Sequence, residues 1–163
     1  MIREAIYKMF NLLILDIDGV MTDGTKTYGL DGQALSKAFY DQDFTAIKRF
    51  KAKGLSVCFL SGDKRVNENI CKHRKIDFFH PQKGKDKSEY LNFLCQTYNA
   101  SPHNTAYVGD DIYDLQIMKN VKYAFCPSDA VSDVLEFCDT KGTILQSKGG
   151  CGVVKELYDY VCK

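Results

Sequence analysis

The sequence predicts an α/β protein: a doubly wound, Rossmann-like parallel sheet with helices on both faces, a projecting β-hairpin and no cap domain. Three observations carry that reading. Short apolar runs recur along the chain, amphipathic stretches at helical spacing separate them, and one segment, 25–39, breaks the alternation. Apolar strands joined through helices call for right-handed crossovers, and a parallel sheet built that way is covered on both faces.

Leu12–Leu15 opens the series as an uninterrupted apolar run. The segment "TKTYGLDGQALSKAF" sets a "GLDG" turn between two extended pieces and reads as the hairpin, with Asp31 as a turn former. In "DFTAIKRFKAKG", Phe44, Ile47 and Phe50 share one helix face and Gly54 stops the helix. Leu55–Leu60 and Ile76–Phe79 are the next strands, and "KDKSEYLNFLCQTY" places Tyr90, Leu91, Leu94 and Tyr98 on one stripe. Thr105–Val108 and Tyr123–Cys126 follow as strands, with a weaker one at Thr143–Leu145. No repeat, low-complexity tract or linker interrupts the series, so residues 1–163 read as one domain.

Composition narrows the function classes. Hydrophobic residues make up 45% and charged residues 26%, ordinary for a globular protein. A formal net charge of +1 leaves no electrostatic footprint for nucleic acid. No apolar run approaches the roughly 20 residues of a membrane span. The opening "MIREAIYKMF" lacks the small residues of a cleavage site and does not read as a signal peptide. Seven scattered cysteines without a C-x-x-C pair fit reduced thiols in the cytoplasm better than a disulfide framework. The three histidines are dispersed, and no zinc site is expected.

The strand tips carry the chemistry. In parallel α/β sheets ligands bind beyond the carboxyl ends of the strands, and here those ends are unusually polar. "LLILDIDGVMTDG" turns from a buried strand into Asp16 and Asp18; two carboxylates there lose hydration and repel each other unless a cation sits between them or one of them reacts. The next tip is Ser61-Gly62, and the "YVG" strand ends in Asp110-Asp111, with Asp114 one helical turn on. Lys83, Lys85 and Lys87 precede the helix between those two stations. Asp16 can attack phosphorus as a nucleophile, and Asp18, two residues along, can exchange protons with the leaving oxygen and then with water. Asp110 with Asp16 offers hard oxygen ligands for Mg²⁺. The Ser61 hydroxyl and the Lys87 ammonium can hold phosphoryl oxygens as charge develops. Lys83 and Lys85 also fit a merely solvated loop. The agreement of all four stations, in this order, distinguishes the pattern from isolated turn formers and caps.

The motifs resemble those of the haloacid-dehalogenase superfamily of phosphohydrolases: "DIDGVMTDG" is similar to its D-x-D-G motif, "FLSG" to its second, Lys87 to its third and "GDDIYD" to its G-D-x-x-x-D motif. The resemblance spans about residues 12–155. It implies Asp16 as nucleophile, Asp18 as acid–base, and Mg²⁺ held by the Asp16 carboxylate, the Asp18 carbonyl and Asp110, with Asp111 and Asp114 as auxiliary ligands. Ser61, Gly62, Asp43 and Lys87 would line the substrate. The closer resemblance is to the small capless members that act on sugar-acid phosphates, either 3-deoxy-octulosonate 8-phosphate or nonulosonate 9-phosphates, through "DGVMTDG", the hairpin, "AYVGDD" and "GGCGVVKEL". Only 42 residues separate Asp18 from Ser61, which leaves no room for a cap. Such relatives imply a homotetramer in which hairpins assemble and a neighbour's tail, here Gly149–Gly152, closes the site.

Three positions depart from the octulosonate pattern: Cys151, Cys71 and Asp63 stand where arginines are expected. Losing bidentate carboxylate forks shifts the expected preference from an eight-carbon towards a nine-carbon acid phosphate. Two other classes use similar residues. A phospho-receiver domain pairs its acids first and puts the phosphoacceptor on a later strand with lysine last, an order this chain does not follow. A non-catalytic tetramerising domain of the same fold would not need Asp16, Asp18, Lys87 and Asp110 intact.

Overall fold

The computed structural model describes residues 9–82 and 85–162. Six strands form one wholly parallel sheet: β1 (Leu12–Leu15), β4 (Ser56–Leu60), β5 (Asp77–Phe79), β6 (Thr105–Val108), β7 (Tyr123–Cys126) and β8 (Thr143–Ile144), in the order β5-β4-β1-β6-β7-β8. The order reverses at β1, which pairs with β4 on one side and β6 on the other. A ligand crevice is expected outside that switch point. The strands of the hairpin, β2 (Thr27–Tyr28) and β3 (Ala34–Ser36), pair only with each other. Gly32 takes φ +72° in the turn and Asp31 Oδ1 accepts from Gln33 N at 3.0 Å. Among the described residues no helix is long and apolar enough to cross a membrane.

Side-chain alternation along the strands divides the core. Leu13, Leu15, Val57 and Phe59 face α1 (Asp41–Ala52), α2 (Arg65–Arg74) and α6 (Val153–Cys162). Leu12, Ile14, Cys58 and Leu60 face α3 (Leu91–Thr97), α4 (Leu115–Met118) and α5 (Ser132–Lys141). All four side chains of β1 are fully buried, so truncating one to alanine costs about 2–5 kcal/mol. Cys58, Cys71, Cys95, Cys126 and Cys138 are buried free thiols that pack as small hydrophobes.

The structure departs from the sequence reading in small, local ways. Strands β4 and β5 start one residue later than the apolar runs, because their ladders begin at Ser56 and Asp77. The stretch 87–98 is not one helix. A 3-10 turn at Lys87–Tyr90, with an Asp86/Glu89 capping box, precedes α3, and this break sets Lys87 against the strand tips. Lys83 and the start of the N-terminal segment lie outside the described residues.

Candidate active site

Asp16 and Ser61 follow directly on β1 and β4 and Asp110 comes two residues after β6, three neighbouring strands, so the sheet alone gathers them. Asp16 and Ser61 border a cleft of about 600 Å³ that is also lined by Asp18, Gly62, Lys87 and Asp111.

A buried cluster lies at its base. Lys87 Nζ stands 3.0 Å from Asp16 Oδ1 and 2.7 Å from Asp114 Oδ1, and both of those acids are buried. Asp16 Oδ1 also accepts from Ile17 N at 2.8 Å. Asp114 is the hub. Its Oδ1 accepts from Tyr107 Oη at 2.6 Å, and its Oδ2 accepts from the backbone N–H groups of Asp110 (3.0 Å) and Asp111 (3.1 Å). One carboxylate thereby fixes the loop after β6, the lysine and a core tyrosine. Gly109 is required beneath it, since a Cβ there would lie 2.5 Å from Asp114 Cγ.

The electrostatics of these acids suit a cation. Asp16, Asp110 and Asp114 each offer a carboxylate oxygen within a 4.8 Å group. Burial, then the charge of Asp114, raises the Asp16 carboxyl well above its ordinary range. Burial, with the charges of Asp114 and Asp111, lifts Asp110 to about 7. Burial alone would lower the Lys87 ammonium, but the pull of Asp16 and Asp114 outweighs it and its pKa is raised. One lysine does not satisfy three acids: Asp110 Oδ1 is buried without a hydrogen-bond partner. Hard, anionic oxygens around an orphaned acceptor fit a divalent cation such as Mg²⁺. The loop after β1 is shaped to admit Asp110. Gly19 has φ +83°, and a Cβ on it would lie 1.9 Å from Asp110 Oδ2.

The Asp18 side chain is not part of that acid group and has partners of its own on the same cleft. Its Oδ1 and Oδ2 lie 2.7 and 2.9 Å from Lys37 Nζ, and Oδ2 accepts from Asn67 Nδ2 at 3.1 Å. The same amide donates to Ser61 Oγ at 3.1 Å. Lys26 and Lys37 both meet Asp63 Oδ2 at 2.8 Å. His80 contacts the Ser61 carbonyl through Nδ1 at 3.0 Å, and the exposed Tyr113 joins it along the cleft.

Several expected residues stand elsewhere. Asp43 does not line the cleft. It is fully buried, and its Oδ1 accepts from Lys155 N at 2.8 Å, holding the first turn of α6 onto α1. Asp111 lies outside the acid cluster because its Oδ1 caps the following 3-10 turn through Ile112 N, and Asp114 takes its place there. Cys71 is buried in the core and not at the cleft. Gly149 and Gly150 pack against the chain's own loop after β1: Gly150 N bonds Val20 O at 3.0 Å, and a Cβ on Gly149 would lie 2.2 Å from Gly19 O. Cys151 beside them is exposed.

Lys26, Lys37, Asn67 and His80 escape a motif reading, and Asp63 enters it only as a position where an arginine is expected. One signal was available for the lysines. Antiparallel pairing of Thr27 with Ser36 makes Lys26 and Lys37 the next pair along the hairpin, and like charges so placed need an acid between them.

A lysine among buried acids at the carboxyl ends of a doubly wound sheet defines a phosphoryl-handling site of the hydrolase type. The model of the haloacid dehalogenase-like hydrolase family matches residues 32–122, and the chain belongs to that family. It is a phosphatase of the capless kind. The chain is 32% identical over 149 residues to the 3-deoxy-D-manno-octulosonate 8-phosphate phosphatase KdsC of Escherichia coli, covering 91% of this chain and 77% of that one. The solved 3-deoxy-D-manno-octulosonate 8-phosphate phosphatase of Yersinia pestis superposes with a TM-score of 0.84 at 29% identity, over 96% of this chain and 82% of that one. The cobalt-bound deoxy-D-mannose-octulosonate 8-phosphate phosphatase of Haemophilus influenzae does so with a TM-score of 0.83 at 28% identity, over 96% and 89%.

Proposed function

We propose that the chain is a Mg²⁺-dependent phosphomonoesterase for a sugar-acid phosphate, working through an aspartyl-phosphate on Asp16. The observation that carries this reading is the buried Asp16–Lys87–Asp114 bridge beside the orphaned Asp110, with Asp18 two residues after Asp16 at the same cleft.

An Asp16 oxygen forms a bond to phosphorus as the ester P–O bond breaks. The leaving oxygen takes a proton from Asp18 and departs as the alcohol. Asp18 then accepts a proton from a water whose oxygen attacks the acyl phosphate at phosphorus, which frees inorganic phosphate and restores Asp16. Lys87 and the Ser61 hydroxyl hold the phosphoryl oxygens while charge builds, and Gly62, with no side chain, leaves room for them. Mg²⁺, held by the Asp16 and Asp110 carboxylates and the Asp18 carbonyl, would neutralise the acids and the incoming phosphoryl group. Acceleration of phosphate-monoester hydrolysis can reach ~10²¹-fold, more than one group supplies.

The substrate class is inferred from the relatives' names and from a cleft whose mouth carries cations and hydrogen-bonding groups. With Asp63 and the exposed Cys151 in place of arginines, we assign preference to a nine-carbon acid phosphate over the eight-carbon one. The exposed apolar hairpin residues Tyr28, Leu30 and Leu35 support a homo-oligomer, and we assign a tetramer. Seven free thiols support a reducing compartment such as the cytoplasm. The test is a screen of sugar-acid phosphates for phosphate release. Turnover is expected with Mg²⁺ and none in excess EDTA; undiminished turnover in EDTA overturns the metal assignment.

A further inference from the structure

The hairpin is mostly exposed, with Tyr28 at 59%, Leu35 at 58% and Leu30 fully in solvent. Lys37, one residue past β3, is the opposite case: its side chain is fully buried. An ammonium has three hydrogens to donate, and here each has an acceptor: Asp18 Oδ2 at 2.9 Å, Asp63 Oδ2 at 2.8 Å and Asn67 Oδ1 at 2.8 Å. These acceptors come from three separate parts of the chain: the loop after β1, the loop after β4, and α2. A lysine gives up its hydration in this way only where its charge is matched and every donor is used. Both conditions hold, since Lys26 and Lys37 face Asp18 and Asp63.

The contacts are directional as well as neutralising. Lys37 donates to Asp18 Oδ2 and sets its charge 2.7 Å from Oδ1, and Asn67 donates to the same Oδ2 while also reaching Ser61 Oγ. The Asn67 amide is oriented by this pattern, because its oxygen accepts from Lys37 and its nitrogen donates to Asp18 and Ser61. Without Lys37, the Asp18 carboxylate keeps one amide contact and Lys26 at 4.0 Å. It would then be held at the cleft through Oδ2 by a single hydrogen bond.

We propose that Lys37 is a positioning residue for the phosphatase reaction: it holds the Asp18 carboxylate in line for proton transfer and ties the hairpin into the active site. The role rests on the functional reading above, in which Asp18 protonates the leaving oxygen. A misplaced acid matters most when the leaving oxygen needs its proton. Lys37→Met should therefore lower kcat/KM about 100-fold for the sugar-acid phosphate that wild type cleaves fastest. With para-nitrophenyl phosphate, whose phenolate leaves unprotonated, the loss should stay below about 10-fold.

A second variant separates positioning from charge balance. Lys37→Met/Asp63→Asn removes one charge of each sign, so it restores thermal stability if Lys37→Met alone is unstable. Its rate with the sugar-acid phosphate should stay as low as that of the single variant. Equal losses with the two esters, or recovery of rate in the double variant, would reduce Lys37 to a neutralising role and overturn the proposal. A wild-type chain that releases phosphate from neither ester overturns the functional reading itself, and this role with it.

Discussion

Lys87 and Asp114 meet at 2.7 Å with both side chains out of solvent, and the same ammonium lies 3.0 Å from Asp16. Lys87→Met leaves two buried carboxylates facing each other. Removing one partner of a buried pair costs about 3–5 kcal/mol, so stability and rate should fall together. We expect kcat/KM to drop about 10²–10³-fold. Lys85 lines the cleft from an exposed position, and Lys85→Ala should lower kcat/KM only slightly. Steady-state kinetics on both variants, with thermal melts, check this; equal losses would mean a diffuse field and not a positioned cation.

Asp16→Asn should abolish turnover, and Asp18→Asn should leave a nucleophile that is phosphorylated slowly and hydrolysed more slowly still. Intact-mass measurement with substrate should show a phosphoryl adduct on Asp18→Asn and none on Asp16→Asn. A near-normal rate in Asp16→Asn would rule out the covalent route.

Gly19→Ala tests the metal cradle by sterics. A Cβ at this position would lie 1.9 Å from Asp110 Oδ2, and the φ of +83° adds about 1–2 kcal/mol of strain for any L side chain. Asp110 must move, so the Mg²⁺ concentration for half-maximal activity should rise at least tenfold. An unchanged Mg²⁺ dependence would place the ion elsewhere.

Asp43→Asn tests a residue that the family resemblance assigns to the substrate and the fold buries. Burial lifts the Asp43 carboxyl from the ordinary 3.8 to about 6, and its Oδ2 has no partner. Because the folded-state pKa is the higher one, its contribution is fully present below about pH 4 and is lost as pH rises through 6. The variant should escape that loss. Its stability relative to wild type should improve between pH 4 and 7, by at most about 3 kcal/mol. Denaturant melts across that range give the measurement, and KM should not change. A raised KM would return Asp43 to the substrate.

The apolar hairpin predicts self-association. Light scattering at micromolar concentration should give a mass about four times that of the chain, and Leu30→Asp, at a fully exposed position, should shift it downward. A monomeric wild type would refute the assembly.

What the sequence by itself determined was whatever depends on neighbours along the chain. Strand and helix periods, the D-x-D at the end of β1 and the polar tips of β4 and β6 are local patterns, and a parallel sheet necessarily gathers strand tips at one edge. Asp16, Ser61 and Asp110 were legible for that reason, and Lys87 through its motif resemblance. Tertiary structure alone decided the rest. Asp18 finds Lys37 and Asn67 across 19 and 49 positions, and Asp43 finds Lys155 across 112. The sequence around Asp43 does not distinguish a carboxylate that meets a ligand from one that anchors a helix. That distinction rests on which donors the packed chain brings within about 3 Å and which acceptors it leaves dry, and burial sets the cost of leaving one unpaired.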